Sequence, residues 1–185
     1  MRTKLLIYIP LLLICSCKNA SNPGVYDKYS NVDLANEFIH AFYSFNRDTL
    51  KFILSHAEES QPSILYYQKW AECGNYEIIR KNDFIVKNDS ILLCPITVKD
   101  DLIGALKIDF NVTDTFRLTI TDGQIRSVKN SSNDPDIYYE AKAWIKQNRP
   151  ELIEVPCKGI WEGGPTPCEC VKAMIKGFAE FKALN

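Results

Sequence analysis

The sequence predicts an α+β fold in which N-terminal helices pack on one face of a curved antiparallel sheet and additional helices follow at the C-terminus. Three observations carry that reading. Apolar residues recur at helical spacing from residue 33 to residue 73. The period then switches to two as far as residue 128, with Asp122-Gly123 as a hairpin turn inside the alternating stretch. Helical spacing returns after Asp134-Pro135. Composition agrees: 185 residues, 46% hydrophobic and 24% charged, with a formal net charge of −1, describe a globular chain with room for one domain. That balance excludes a disordered chain and a nucleic-acid binder working through a general basic field. Two histidines exclude a multi-His metal site.

The first 16 residues stand apart. Arg2 and Lys4 precede the apolar run Leu5 to Ile14. That run falls short of the about 20 residues needed to span a bilayer core, and it has the layout of a secretory leader. It ends in Ile14-Cys15-Ser16-Cys17, which resembles a bacterial lipobox: an aliphatic residue three positions before the acceptor, a small residue next to it, then the cysteine. Cys17 fits the acceptor better than Cys15, because Ser16 is small and Ile14 bulky. The expected organisation is a lipoprotein signal peptide over 1–16, a flexible tether over 17–30 and a single α+β domain over 31–185. Loss of Arg2 and Lys4 with the leader makes the chain more acidic. Lipid at Cys17 would hold the protein on a membrane without crossing it.

Within the domain, Asp33 should cap a helix reaching Phe45, with Leu34, Phe38, Ala41, Phe42 and Phe45 on one face. A second helix spans Asp48 to Ser55. A third begins after Ser60-Gln61-Pro62 and stops at Gly74. Tyr76 to Ile79, Phe84 to Val86 and Ile91 to Val98 read as strands, with a turn at Asn88-Asp89. Asp100-Asp101 turns the chain into a further strand, Ala105 to Val112, in which Lys107, Asp109 and Asn111 form the polar face. Phe116, Leu118 and Ile120 continue the apolar face into the Asp122-Gly123 hairpin, pairing Ile120 with Ile125 and Thr121 with Gln124. Asp109, Thr119 and Arg126 then form one polar row. Asp134-Pro135 is a cap and first helical residue for a helix to Gln147 that buries Ile137, Ala141, Trp144 and Ile145. Thr166-Pro167-Cys168-Glu169 is a capping box for the last helix.

Five cysteines follow the leader: Cys73, Cys94, Cys157, Cys168 and Cys170. An exported chain meets an oxidising compartment, so disulfides are expected. A bridge from Cys157 to Cys168 or Cys170 would pin the Gly/Pro loop between them, and Cys73–Cys94 is the second expected pair. A zinc site on Cys157, Cys168 and Cys170 is the alternative. It is disfavoured, because structural zinc wants four ligands in close pairs. No metal and no cofactor is expected.

Helices before an antiparallel meander, together with Phe116-Arg117-Leu118-Thr119-Ile120-Thr121-Asp122-Gly123-Gln124-Ile125 as paired strands joined at Asp-Gly, resemble the nuclear transport factor 2-like superfamily. Asp134 to Glu151, with Trp144 and Pro150-Glu151, looks like the helical extension of some SnoaL-like members. A cystatin-like layout is the structural neighbour. The resemblance implies a conical pocket between helices and sheet, in enzymes furnished with an Asp or His base or a Tyr/Asp oxyanion pair. On that basis the candidate bases are Asp109 and His40. Each has a plainer reading: Asp109 beside Lys107, Arg117 and Arg126 as surface charge pairing, and His40 on the flank opposite Phe38 and Phe42 as a surface side chain. His56 sits at a helix end, where a cation is favoured. Tyr66, Tyr67, Trp70, Tyr138, Tyr139 and Trp144 are core-type aromatics, of which Tyr67 and Trp70 are the candidates for a pocket rim.

The expected function is a membrane-anchored envelope lipoprotein, periplasm-facing and non-catalytic, that binds a protein partner or small apolar ligand. The alternative is a SnoaL-like isomerase, cyclase or hydratase with Asp109 or His40 as general base. The expected partners are the membrane, through the lipid, and that ligand, with a second copy of the chain as a further candidate across the sheet face.

Overall fold

The computed structural model describes residues 30–159 and 168–184. The leader, Cys17, the tether and the Thr166-Pro167 part of the capping box lie outside the described residues. The fold is mixed α+β, with helices and an open antiparallel sheet of five strands.

Helix α1, Asn31–Tyr43, opens three residues earlier than expected, with Ser30 in place of Asp33 as the cap. Ser30 is the N-cap and Asp33 the third helical residue, and each side chain meets the other's backbone N–H in a reciprocal capping box. Ala35, Phe38, Ile39, Ala41 and Phe42 form its buried face. Asn46 caps α2, Arg47–Ile53, by accepting from the Thr49 amide. Helix α3, Gln61–Cys73, carries Pro62 in its first turn and ends at Gly74. The buried Gln68 donates to the Ala41 and Phe42 carbonyls, which fixes α3 to the end of α1.

Strands β1, Glu77–Lys81, and β2, Ile85–Asn88, lie end to end along one edge of β3, Ile91–Lys99. Beyond β3 come β4, Val112–Thr121, and β5, Gln124–Ser132, all antiparallel. The hairpin pairs Ile120 with Ile125 and Thr121 with Gln124. Both turn residues take positive φ, Asp122 at 54° and Gly123 at 68°, as a type I′ turn requires. A register shift between Thr119 and Ile120 then pairs Thr119 with Ser127 and leaves Arg126 out of the ladder, so the expected Asp109–Thr119–Arg126 row does not form.

The strand expected over Ala105 to Val112 is absent. The Asp100 carboxylate accepts from the Ile103 amide and starts a short helix, α4, Asp101–Ala105. Leu102, Ile103 and Leu106 are buried at helical spacing, and that burial outweighs the alternation read from Lys107 onward. Lys107 takes a positive φ of 51° and turns the chain out, leaving Asp109 exposed in an irregular segment before β4.

Helix α5, Asp136–Asn148, starts one residue later than expected, with Pro135 as N-cap. This releases the Asp134 side chain, which accepts from Ser132 Oγ at 2.6 Å and from Tyr139 Oη at 3.4 Å. Helix α6, Pro150–Ile153, and helix α7, Cys168–Leu184, complete the described chain. Gly177 lets α7 approach α5: a Cβ there would lie 2.5 Å from Ile145 Cδ1.

Two disulfides fasten α7. Cys157–Cys170 is one of the two pairings expected for Cys157, with Cα atoms 4.7 Å apart. The expected Cys73–Cys94 pair does not form. Cys73, the last residue of α3, bonds Cys168 at the start of α7, with Cα atoms 5.1 Å apart. Cys94 is a free thiol, fully buried on the helix-facing side of β3 opposite Phe116. Burial pushes it up to about 12, which keeps it protonated and inert.

Candidate functional site

Along β4 the inward positions read Val112, Asp114, Phe116, Leu118 and Ile120, all buried. One carboxylate thus stands where the pattern calls for an apolar side chain, and it is fully buried. It survives there because two phenols reach it from the helices. Tyr67 Oη on α3 donates to one carboxylate oxygen at 2.5 Å, and Tyr43 Oη, the last residue of α1, donates to the other at 3.1 Å. Phe116 packs against both tyrosine rings, with centroids 6.2 and 6.4 Å away. Burial pushes the Asp114 carboxyl up to about 6, against the two hydrogen bonds, which pull it down. The same burial and the adjacent carboxylate raise both phenols, so they remain donors across the physiological range.

A second buried acid lies in the same region. Asp100 is 3% exposed, and while one of its oxygens caps α4 the other has no hydrogen-bond partner. Burial, with added repulsion from Asp134 and Asp101, holds it at about 6. Burial first, and then Asp100, Asp114 and Asp134, raise the Tyr76 phenol, and burial followed by Asp134 and Asp100 raises Tyr138. Buried acids and phenols thus lie close together between helices and sheet.

A cleft of about 200 Å³ lies between α3 and α5. Each helix contributes three side chains at positions i, i+1 and i+4: Tyr66, Tyr67 and Trp70 from α3, and Tyr138, Tyr139 and Lys142 from α5. Asp134 also lines the cleft. Tyr67 belongs to both parts, with its ring on the cleft and its hydroxyl on Asp114. The Tyr66 hydroxyl is buried without a partner. Lys142 Nζ lies over the Tyr138 and Tyr139 rings, 5.3 and 5.9 Å from their centroids. Desolvation, and then the neighbouring Lys146, lower the lysine, while Asp134 acts in the opposite sense.

Of the residues singled out from sequence, Tyr67 and Trp70 line this cleft together. Asp109 and His40 are exposed and do not line it. The reason for Asp109 is the α4 turn, which takes it off the sheet, and His40 follows from its place on the outer flank of α1. His56 borders a different, open cleft beside Phe52 and the β4–β5 turn. Asp114, Tyr43, Asp100 and Asp134 escaped the sequence reading. Asp114 carried a usable signal, an acid in the middle of an apolar alternation, which was hidden by placing the strand boundary at Val112. Among the described residues no three His, Cys, Asp or Glu side chains group to hold a metal ion, and no helix is long and apolar enough to cross a membrane.

No protein-family model matches the chain, and no curated protein sequence matches it. Among solved structures it is similar to a Xanthomonas campestris protein of unknown function with a cystatin-like fold. The TM-score is 0.42 at 20% sequence identity, over 56% of this chain and 90% of that one.

Proposed function

We propose that this chain is a membrane-anchored envelope lipoprotein whose domain binds a small ligand in the α3–α5 cleft without transforming it. The observation that carries the reading is the division of labour at Tyr67. The cleft is walled by aromatic rings, as a binding site is, while the acid of shifted pKa, Asp114, is sealed behind it with both oxygens taken by phenols. A general base must reach a substrate proton, and a fully buried carboxylate does not. Two disulfides support an oxidising compartment, and Ile14-Cys15-Ser16-Cys17 supports lipid attachment at Cys17. Cys17→Ser should move the protein from the membrane to the soluble fraction, and an unchanged membrane fraction refutes the anchor. Calorimetric titration with small neutral aromatics such as phenol should show saturable binding that Trp70→Ala weakens.

The second reading is a nuclear transport factor 2-like fold, cystatin-like as its neighbour, with an enzyme site of the SnoaL-like kind. Three helices ahead of an antiparallel meander support the fold. The 2.5 Å Tyr67–Asp114 hydrogen bond supports a phenol/acid pair of which Tyr67 borders the cleft. In that reading the Tyr67 hydroxyl would turn from Asp114, to which it donates its one proton here, and donate instead to a substrate oxygen. Turnover of a carbonyl substrate that Tyr67→Phe abolishes, with ligand affinity retained, would establish it over the binding reading.

A further inference from the structure

We infer that the outer face of the sheet is a membrane-seating surface, fitted to an anionic lipid bilayer. This rests on the reading that lipid at Cys17 anchors the chain, and it states how the anchored domain sits.

The first ground is charge placement. Strand register sorts the side chains of β3, β4 and β5 onto two faces. Asp114, Phe116 and Leu118 point inward, while Leu93, Arg117 and Lys129 form one row on the opposite face. None of the outward ladder positions of these three strands carries a carboxylate, although the chain has 23 acids against 22 bases. Arg117 and Lys129 stand directly opposite each other, both exposed. Like charges in that relation destabilise a free sheet. Among the described residues neither forms an ion pair with an acid. Acids border the face at its rim: Glu77, opposite Lys99, and Asp83, Asp89 and Asp122 in connecting segments, of which Asp122 meets Arg126 at 3.9 Å. A plane of lipid phosphates turns the Arg117–Lys129 repulsion into attraction, contributing about fivefold in affinity per basic residue near the surface.

The second ground is where the anchored segment meets the domain. Asn31 Nδ2 donates to the Asp89 carbonyl at 2.7 Å, which ties the start of α1 to the β2–β3 turn. On that side of the sheet Ile85, 46% exposed, pairs with Leu93 and begins the row that ends in Arg117 and Lys129. Apolar side chains followed by basic ones match the boundary between acyl chains and headgroups. The segment from Cys17 to Ser30 reaches about 45 Å at most, and the nine residues of β3 span about 30 Å. The face can therefore lie flat beside its own lipid.

The third ground is that the anchor has already brought the domain to the surface. A contact too weak to recruit free protein is then enough to orient it. The rest of the chain, in which acids exceed bases, is repelled by the same surface over a screening length of about 10 Å at 0.1 M salt.

The test is lysine acylation, read by mass spectrometry, on the full lipidated protein in vesicles of phosphatidylcholine alone or mixed with phosphatidylglycerol. A phosphate beside an ammonium holds it in the charged, unreactive form. Lys129 should therefore acylate about fivefold more slowly on the anionic vesicle, while Lys172, exposed on α7, should change little. High salt should erase the difference. Arg117→Gln removes an exposed charge from a like-charge pair, so the fold stays intact; it should bring the Lys129 ratio between the two vesicles towards one. Equal Lys129 rates on both vesicles, with the protein retained on each, overturn the inference and leave the anchor standing. Failure to stay on either vesicle overturns both. Protection of Lys129 relative to Lys172 in detergent, growing with protein concentration, assigns the face to a second copy. The same protection at every concentration assigns it to another segment of this chain, and either result overturns the lipid. Protection by soluble polyglutamate without protection by the anionic vesicle assigns the face to an acidic protein and overturns it likewise.

Discussion

Replacing Asp114 by Asn should stabilise the protein at neutral pH and flatten its dependence on pH. The carboxyl is fully buried and held at about 6, above its ordinary 3.8. A raised folded-state pKa means the folded chain binds the proton more tightly than the unfolded chain. The resulting stabilisation is fully present below about pH 3.8 and is lost as pH rises through about 6. The whole shift of about two units corresponds to about 3 kcal/mol, of which about 1 kcal/mol falls between pH 8 and pH 5. Asp100, held at about 6 by the same cause, adds a similar amount. The wild-type protein, disulfides intact, should therefore gain roughly 2–3 kcal/mol on going from pH 8 to pH 5. Urea unfolding at several pH values measures this. Asp114→Asn should remove about half of the slope, and Asp100→Asn most of the rest, since Asn still serves as an N-cap for α4. Tyr67→Phe should act the other way at pH 8, costing about 1–3 kcal/mol by stripping a donor from a buried carboxylate. An Asp114→Asn slope identical to wild type would refute the reasoning, as would wild-type stability that falls steadily from pH 8 to pH 5.

Gly177→Ala should destabilise by about 1–3 kcal/mol although alanine is the better helix former, because its Cβ would lie 2.5 and 2.6 Å from the Ile145 Cδ1 and Cγ1 atoms; thermal unfolding should show that Ile145→Ala, which costs stability alone, costs much less in that background. Removing Cys73–Cys168, which joins residues 95 apart, should cost about 4–5 kcal/mol, and removing Cys157–Cys170, separated by 13, about 3 kcal/mol. Denaturant midpoints of the two double-serine variants check that order. In a chain carrying Cys15→Ser and Cys17→Ser, a thiol reagent should find no reactive group in the native state and one after unfolding, Cys94.

Local patterns determined a good deal of this protein by themselves. The helical periods of α1 to α3 and α5, the Asp122-Gly123 hairpin with its register, and an oxidised cysteine pair at Cys157 are all set within short stretches of chain, where propensity, turn chemistry and spacing decide. Tyr66, Tyr67 and Trp70 share one helix face for the same reason. What the sequence could not show is which elements face one another. The Asp109 strand failed because burial of Leu102, Ile103 and Leu106 against the rest of the molecule decides between helix and strand in a stretch short enough for either. The Cys73 partner depended on where α7 docks. Asp114 looked like one acid among many until Tyr43 and Tyr67 reached it from elements 71 and 47 residues away. The cleft exists only because α3 turns Tyr66, Tyr67 and Trp70, and α5 turns Tyr138, Tyr139 and Lys142, toward a common space. Lone side chains are chosen locally, but burial, hydrogen bonding and field strength are properties of pairs, and tertiary packing alone brings those pairs together.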